Sequence, residues 1–278
     1  MTMNEITRNS RGADARTYPL TDSLIAKLDQ PAFPKSAAYD VSWLLDNEMG
    51  PNVLWMTEWA CEALDLQPGM RVLDLGCGKA LSSVFLATEY DVSVRATDLW
   101  IPAADNFKRI NALGMADQIM PIHAEAHDLP FADGYFDIII SIDAYHYFGT
   151  ADLYLGYISK FLRPGGQICI VVPSVKNELP DGPPNSLRPY WEWDFCSFHS
   201  PEWWRKHWQK TGLVNVESAK SLPEGWAIWA DWSEVCNKTG AGLEGGIPAG
   251  RDAEMLRVDA GETLGLSRIM ATKPDSAD

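Results

Sequence analysis

The stretch "RVLDLGCGKALSS" (71–83) carries an apolar run into Gly76 and Gly78, and Asp98 follows 20 residues after the second glycine (98 − 78). Glycines let a backbone turn sharply and approach a ligand with no Cβ in the way. A carboxylate at that distance, closing the next apolar run, is placed to accept both hydroxyls of a ribose. A dinucleotide fingerprint also needs a third small residue to pack its helix, and here that position is Leu81. Asp74, just before the turn, is a poor neighbour for a pyrophosphate and a good one for an ammonium group. Further on, "AEAHDLPF" offers Glu125 and Ala126 to an adenine edge. An amino acid joined to adenosine fits this set better than a dinucleotide does.

A second group of reactive side chains lies in "SIDAYHYFG": Asp143, Tyr145, His146 and Tyr147. His146 has an ordinary pKa suited to a general base near neutrality, and the tyrosines can contact an acceptor. A histidine there serves equally well as a hydrogen-bonded core residue. Eight of the twelve tryptophans fall between Trp191 and Trp232. They admit three readings: a core for the inserted segments, an apolar pocket wall including Trp191, Trp193 and Trp203, or an aromatic cage for a cationic amine. Cys196 and His199 are three residues apart, but no second pair completes a metal set, and no CxxC spacing occurs among the five cysteines. No metal site is expected.

These groups need strands to hold them. The apolar runs "RVLDLG" (71–76), "VSVRATD" (92–98), "IMPIHAE" (119–125), "FDIIISID" (136–143) and "QICIVVP" (167–173) read as strands. Helices are expected over 53–64, 80–90, 102–113 and 151–162 between or before them. Strands alternating with helices in this way imply a parallel sheet with right-handed crossovers. Ser200 is a natural N-cap for the helix in "SPEWWRKHWQKTG". Two more strands are expected, at 213–219 and 267–273, with Trp226, Trp229 and Trp232 on one side of a helix between them. The expected fold is therefore α/β: a Rossmann-like, seven-stranded, mostly parallel sheet with helices on both faces. An aromatic-rich lid would come from insertions after strand 5 (174–200) and between strands 6 and 7 (221–261). Residues 1–52 would form a segment that closes over the cofactor, and 53–278 the main domain.

With a net charge of −15, the surface repels phosphate backbones and anionic headgroups, so neither nucleic acid nor membrane is an expected partner. There is no long apolar run and no signal-peptide pattern. A reduced, cytoplasmic protein is expected; a homodimer and a monomer would leave the same motifs.

In their order, "VLDLGCGKA", "ATDLW", "HAEAHDLPFADGYFDIIISIDAYHYF" and "FLRPGGQICIVVP" resemble the successive motifs of class I S-adenosylmethionine-dependent methyltransferases, and more narrowly the bacterial type-11 small-molecule group. The similarity covers about residues 50–175, and Ala80 satisfies the family's third small position. It implies S-adenosylmethionine as cofactor and a small molecule as methyl acceptor. It also implies that Asp74, Gly76, Cys77 and Gly78 surround the methionine end, Asp98 holds the ribose, Leu99 packs on the adenine, and Glu125 and Ala126 contact the base. Ser141 to Asp143 would line the reacting side. "MGPN" (49–52), with Gly50 and Asn52, resembles the segment closing over the cofactor's carboxylate, and Tyr18 would join it. Asp143, Tyr145 and His146 are the catalytic candidates, and Tyr147, Trp191, His199 and Trp203 the substrate contacts. Two other readings stay open: the same cofactor with a rearrangement, decarboxylation or cyclisation, and a cofactor sensor without catalysis.

Overall fold

The structure is a computed structural model that describes residues 2–12, 15–241 and 250–275. Before the sheet come helices α1 (Met3–Ser10), α2 (Asp22–Leu28), α3 (Val41–Asp46) and α4 (Val53–Cys61). The sheet and its connections follow as β1 (Arg71–Leu75), α5 (Leu81–Tyr90), β2 (Ser93–Asp98), α6 (Ala103–Ala112), β3 (Ile119–His123), β4 (Phe136–Ile142), α7 (Tyr154–Ile158) and β5 (Leu162–Val175). The last third contains α8 (Pro201–Gln209), β6 (Asn215–Ser221), α9 (Gly225–Thr239), α10 (Asp252–Asp259) and β7 (Leu264–Thr272).

The seven strands lie in the order β3-β2-β1-β4-β5-β7-β6. All neighbouring pairs are parallel except those of β7, which runs antiparallel to both β5 and β6. Alternation along β1 sends successive side chains to opposite faces. Val72 joins a core with Trp55, Phe85 and Ile110, whereas Leu73 and Leu75 join another with Tyr154, Trp204 and Trp208. Both faces are thus covered, which is why β4 reads as an unbroken apolar run.

Several boundaries differ from the expectation. The fifth strand starts at Leu162, so "RPGG" lies within it: Gly165 takes a left-handed φ of 68° and the register with β4 shifts between Phe136 and Ile138. The helix expected over 151–162 shortens to α7 and a 3-10 turn at Ser159–Phe161. β7 begins at Leu264, three residues early, because its pairing with β5 extends to Val175.

Most of the tryptophans form core. Trp204 and Trp208 are fully buried on α8, and Trp229 and Trp232 are buried on α9. Ser200 caps α8 as expected, accepting from Trp203 N at 3.2 Å.

Candidate active site

Strand order reverses between β1 and β4, and outside the carboxyl ends of β1, β2 and β4 lies a cavity of about 330 Å³. That is where open α/β sheets place ligands. Its wall includes Gly50, Gly76, Cys77, Gly78, Asp98, Leu99, Glu125, Ala126, Asp143 and Tyr147, so ten of the expected site residues converge on one space.

The glycine turn is built for close approach. Gly76 and Gly78 have φ of 74° and 52°. A Cβ on Gly76 would collide with that of Ala144, and one on Gly78 would come 2.9 Å from Met49 Sδ. Asp98 organises this turn: Oδ2 accepts from Gly78 N at 2.8 Å, and Oδ1 accepts from Trp100 N at 2.7 Å and Ile101 N at 2.8 Å. Each carboxylate oxygen accepts about two hydrogen bonds, so Oδ2 keeps capacity for a hydroxyl. Leu99 and Trp100 present bare apolar surface beside it, 50% and 59% exposed. The carboxylate of Glu125 is turned onto His127, accepting from its main-chain N at 2.8 Å and lying 2.9 Å from its ring.

Asp143 sits at the tip of β4. Its N–H donates to Val171 O at 2.8 Å, and the chain then turns through a left-handed φ of 55°, a strained conformation for a residue with a side chain. Burial first, and then Asp252, push its carboxyl well above the usual range. Tyr147 lines the mouth, its ring 5.7 Å from that of Trp100.

Nine expected contacts lie outside the cavity wall. The alternation of β1 turns Asp74 toward α5, where Oδ2 accepts from the Ser82 and Ser83 hydroxyls, both at 2.6 Å; Oδ1 has no partner, and burial pushes the carboxyl up to about 6. Ser141 donates to Leu75 O at 2.7 Å, joining the ends of β4 and β1. Asn52 caps α4, accepting from Leu54 N and Trp55 N. Tyr18 donates to Asp46 Oδ1 at 2.8 Å and so braces the loop that leads to Gly50. These four support the wall from behind.

The other five are engaged elsewhere. Tyr145 is wholly buried among Phe148, Tyr154, Trp204 and Trp208, its hydroxyl without a partner. His146 is buried against Tyr147 and Phe198, and desolvation lowers its pKa to about 3, too low for a useful base. His199 is held by Glu178 at 2.9 Å and stacks on Trp203 at 3.6 Å. Trp203 is itself sandwiched by His207 on its far side. Trp191 also lies outside the wall and packs edge-on against Phe195.

The sequence reading missed several wall residues. Trp100 follows Asp98 by two residues, a position that the carboxyl-end rule implicates. Lys79 lines the cavity and ties the glycine turn to the 46–50 loop through Asp46 O and Glu48 O, at 3.3 and 3.5 Å. Outside the wall, Asn106 donates to Gly78 O at 2.8 Å and so fixes the turn from α6.

Residues 72–166 match the family model for a methyltransferase domain. The methyltransferase GfsG of Streptomyces halstedii is 31% identical over 127 residues, covering 45% of this chain and 46% of that protein. The geranyl diphosphate C-methyltransferase of Streptomyces coelicolor A3(2) shares the fold with a TM-score of 0.66 at 15% identity, over 97% of this chain and 93% of its own. The [4+2]-cyclase SpnF does so with a TM-score of 0.63 at 16% identity, over 83% and 85%. The chain spans less than half the length of the first curated relatives it matches.

Sheet order, antiparallel final strand and glycine turn together define the class I methyltransferase fold. Residues 72–166 are similar to a methyltransferase domain, the part of the chain that the family model covers.

The residues present fit S-adenosylmethionine. The glycine cradle has no room for side chains, Asp98 retains an acceptor for a ribose hydroxyl, and Leu99 and Trp100 offer a bare wall to a purine. No group of three or more possible metal ligands occurs among the described residues. No helix among them is long and apolar enough to cross a membrane.

Proposed function

We propose that this protein is a small-molecule methyltransferase using S-adenosylmethionine. The single observation that carries the reading is the cavity at the strand-order reversal, walled by Gly76, Gly78 and Asp98 and continuous with Asp143 and Tyr147. When bound, the cofactor supplies a methyl group already activated on a sulfonium. The chain therefore has to bind, align and exclude water, with proton removal needed only for some acceptors.

Gly76 and Gly78 bring bare backbone to the amino-acid half. Asp98 accepts from the ribose, while Leu99 and Trp100 cover the base with Ala126 opposite. Asp143 faces the reacting side, and its raised proton affinity suits it to receive a proton. Tyr147 positions the acceptor at the mouth. Residues 1–52 act as the closing segment: Asn47, Met49, Gly50 and Pro51 line the cavity, and the Tyr18–Asp46 bond holds the base of their loop. The five free cysteines support a reducing, cytoplasmic setting.

A second reading keeps the cofactor but not the transfer. Tyr145 and His146 do not reach the cavity, and the fold likeness to a [4+2]-cyclase supports this reading. Calorimetry with S-adenosylhomocysteine, followed by transfer of a labelled methyl group across a panel of amines, phenols and thiols, separates the two. Micromolar binding with label in a product supports methyl transfer. Binding with unlabelled turnover supports the second reading, and no binding overturns both.

A further inference from the structure

Near the Asp143 and Tyr147 end of the cavity, four segments distant in sequence bring acids to bear on one another. Asp143 and Tyr147 follow β4. Glu192 and Asp194 lie in the segment after β5, whose 3-10 turn Trp193–Ser197 packs beside the turn Tyr145–Tyr147, with Phe198 5.6 Å from the His146 ring. Asp252 opens α10, which is clamped to that segment: the Arg251 guanidinium lies 4.3 Å over Tyr190 and donates to Pro189 O at 2.8 Å, and Tyr190 donates to Glu254 at 2.7 Å. Glu48 comes from the loop before α4.

We propose that the Asp143 and Tyr147 end of this cavity binds an organic cation, so that the acceptor bears a protonated or quaternary amine held by Asp143 and the Tyr147–Trp100 ring pair, with the charges of Asp194 and Asp252 behind them. The inference rests on the methyltransferase reading above and specifies its substrate class.

Charge is the first argument. After burial, the charges of Asp143, Asp194, Asp252 and Glu192 all raise the proton affinity of the Tyr147 hydroxyl. Asp252 is pushed up to about 6, by burial first and then by Glu192. No cation enters the surroundings that shift Asp143 or Asp252. Lys79 is the one Lys or Arg lining the cavity among the described residues, and it is committed to the carbonyls of Asp46 and Glu48. Arg251 is spent on Tyr190 and Pro189. Carboxylates gathered in this way repel one another, and a bound cation relieves them.

Unpartnered buried groups are the second argument. Glu48 is 3% exposed and neither of its side-chain oxygens has a hydrogen-bond partner; burial pushes its carboxyl up to about 7 against the opposing charge of Lys79, and Asp252 adds to the rise. The indole N–H of Trp229, equally buried, is directed at Asp252 and lowers its proton affinity. Oδ1 of Asp194 is also buried without a partner. Unsatisfied buried polar atoms concentrated at one spot mark a place for a ligand. The aromatic faces add to the case, since Trp100 and Tyr147 are each about half exposed, 5.7 Å apart, and able to attract an ammonium through their rings.

The test uses choline and its neutral isostere 3,3-dimethylbutan-1-ol, titrated calorimetrically into the full-length protein saturated with S-adenosylhomocysteine. Wild type, Asp194→Asn and Asp252→Asn are compared, and the affinity of each for S-adenosylhomocysteine is measured first. The expected result is a preference for choline of about tenfold or more. Each variant should cut it several-fold while keeping its cofactor affinity within about twofold of wild type. Equal binding of the isostere, or a preference that survives both substitutions, overturns the proposal. Stabilisation by Mg²⁺ alone, lost in both variants and with no response to choline, overturns it in favour of a metal site. If S-adenosylhomocysteine does not bind, the methyltransferase reading fails. The choline preference is then read by thermal shift on the unliganded protein with the same variants, where its loss overturns the cation site separately.

Discussion

Gly50 and Asp143 share one space: the Asp143 carboxylate sits where any side chain at position 50 would begin, and a Cβ there would overlap Oδ2. The loop before α4 therefore sets the direction of the acid at the tip of β4. Replacing Gly50 with Ala should push the carboxylate off its position. Turnover is expected to fall by up to about a hundredfold, the scale of a misplacement near 1 Å. Steady-state kinetics of Gly50→Ala beside its melting temperature would check this; unchanged kcat would mean that the contact yields freely.

Asp98 serves the turn and the ligand at once, so two substitutions should separate the roles. Asp98→Asn keeps one acceptor oxygen and loses the charge. Its affinity for S-adenosylhomocysteine is expected to drop about tenfold or more, as for a lost hydrogen bond to a charged group. Asp98→Ala also strands the N–H groups of Gly78, Trp100 and Ile101 and should melt at a lower temperature than the Asn variant. Calorimetry and thermal melts together would reveal equal behaviour, which would refute the division.

His146 carries a pH signature. Its pKa falls from the ordinary 6.5 to about 3 on folding because burial disfavours the imidazolium. The unfolded chain takes up the proton first as pH drops. The stability associated with the neutral ring is therefore complete above about 6.5 and is lost as pH falls toward 3. At pH 5 this amounts to about 2 kcal/mol. Between pH 7 and 5 the wild type should lose melting temperature faster than His146→Phe, and parallel curves would refute the assignment.

Tyr145→Phe should cost nothing. The hydroxyl is buried without a partner, and removing an unsatisfied polar group is neutral or stabilising. An unchanged or raised melting temperature with unaltered kcat is expected. A large fall in kcat would return Tyr145 to the catalytic group.

The parts of the site that could be read in the sequence are those that depend on local backbone chemistry. Gly76, Gly78 and Asp98 are tied to a strand-turn-helix and to the end of the next strand, and each of them reaches the cavity. Asp74 lies outside the wall, on the face that the alternation in the letters assigns it with Val72, opposite Leu73 and Leu75. Within "SIDAYHYFG" no such rule operates. Which of four candidates faces inward follows from the left-handed turn at Asp143 and the short 3-10 turn after it, and neither has a sequence signature. The tryptophans illustrate a different limit. Trp204 in a core and Trp100 at a ligand wall are the same residue type, and only packing against the sheet separates them.

The hydrogen bond from the Trp232 indole to Gly50 O, at 3.0 Å, spans 182 residues. During synthesis the N-terminal part of a chain folds first, and contacts of long sequence separation come last. The glycine turn and β2 can therefore form well before α9 leaves the ribosome, while the loop above them waits for its anchor. A nascent chain ending after β5 would own every side chain of the cavity wall and still lack what holds its roof. Cofactor present in the cell would favour the finished protein over that half-roofed intermediate, acting as a late folding ligand as well as a reagent.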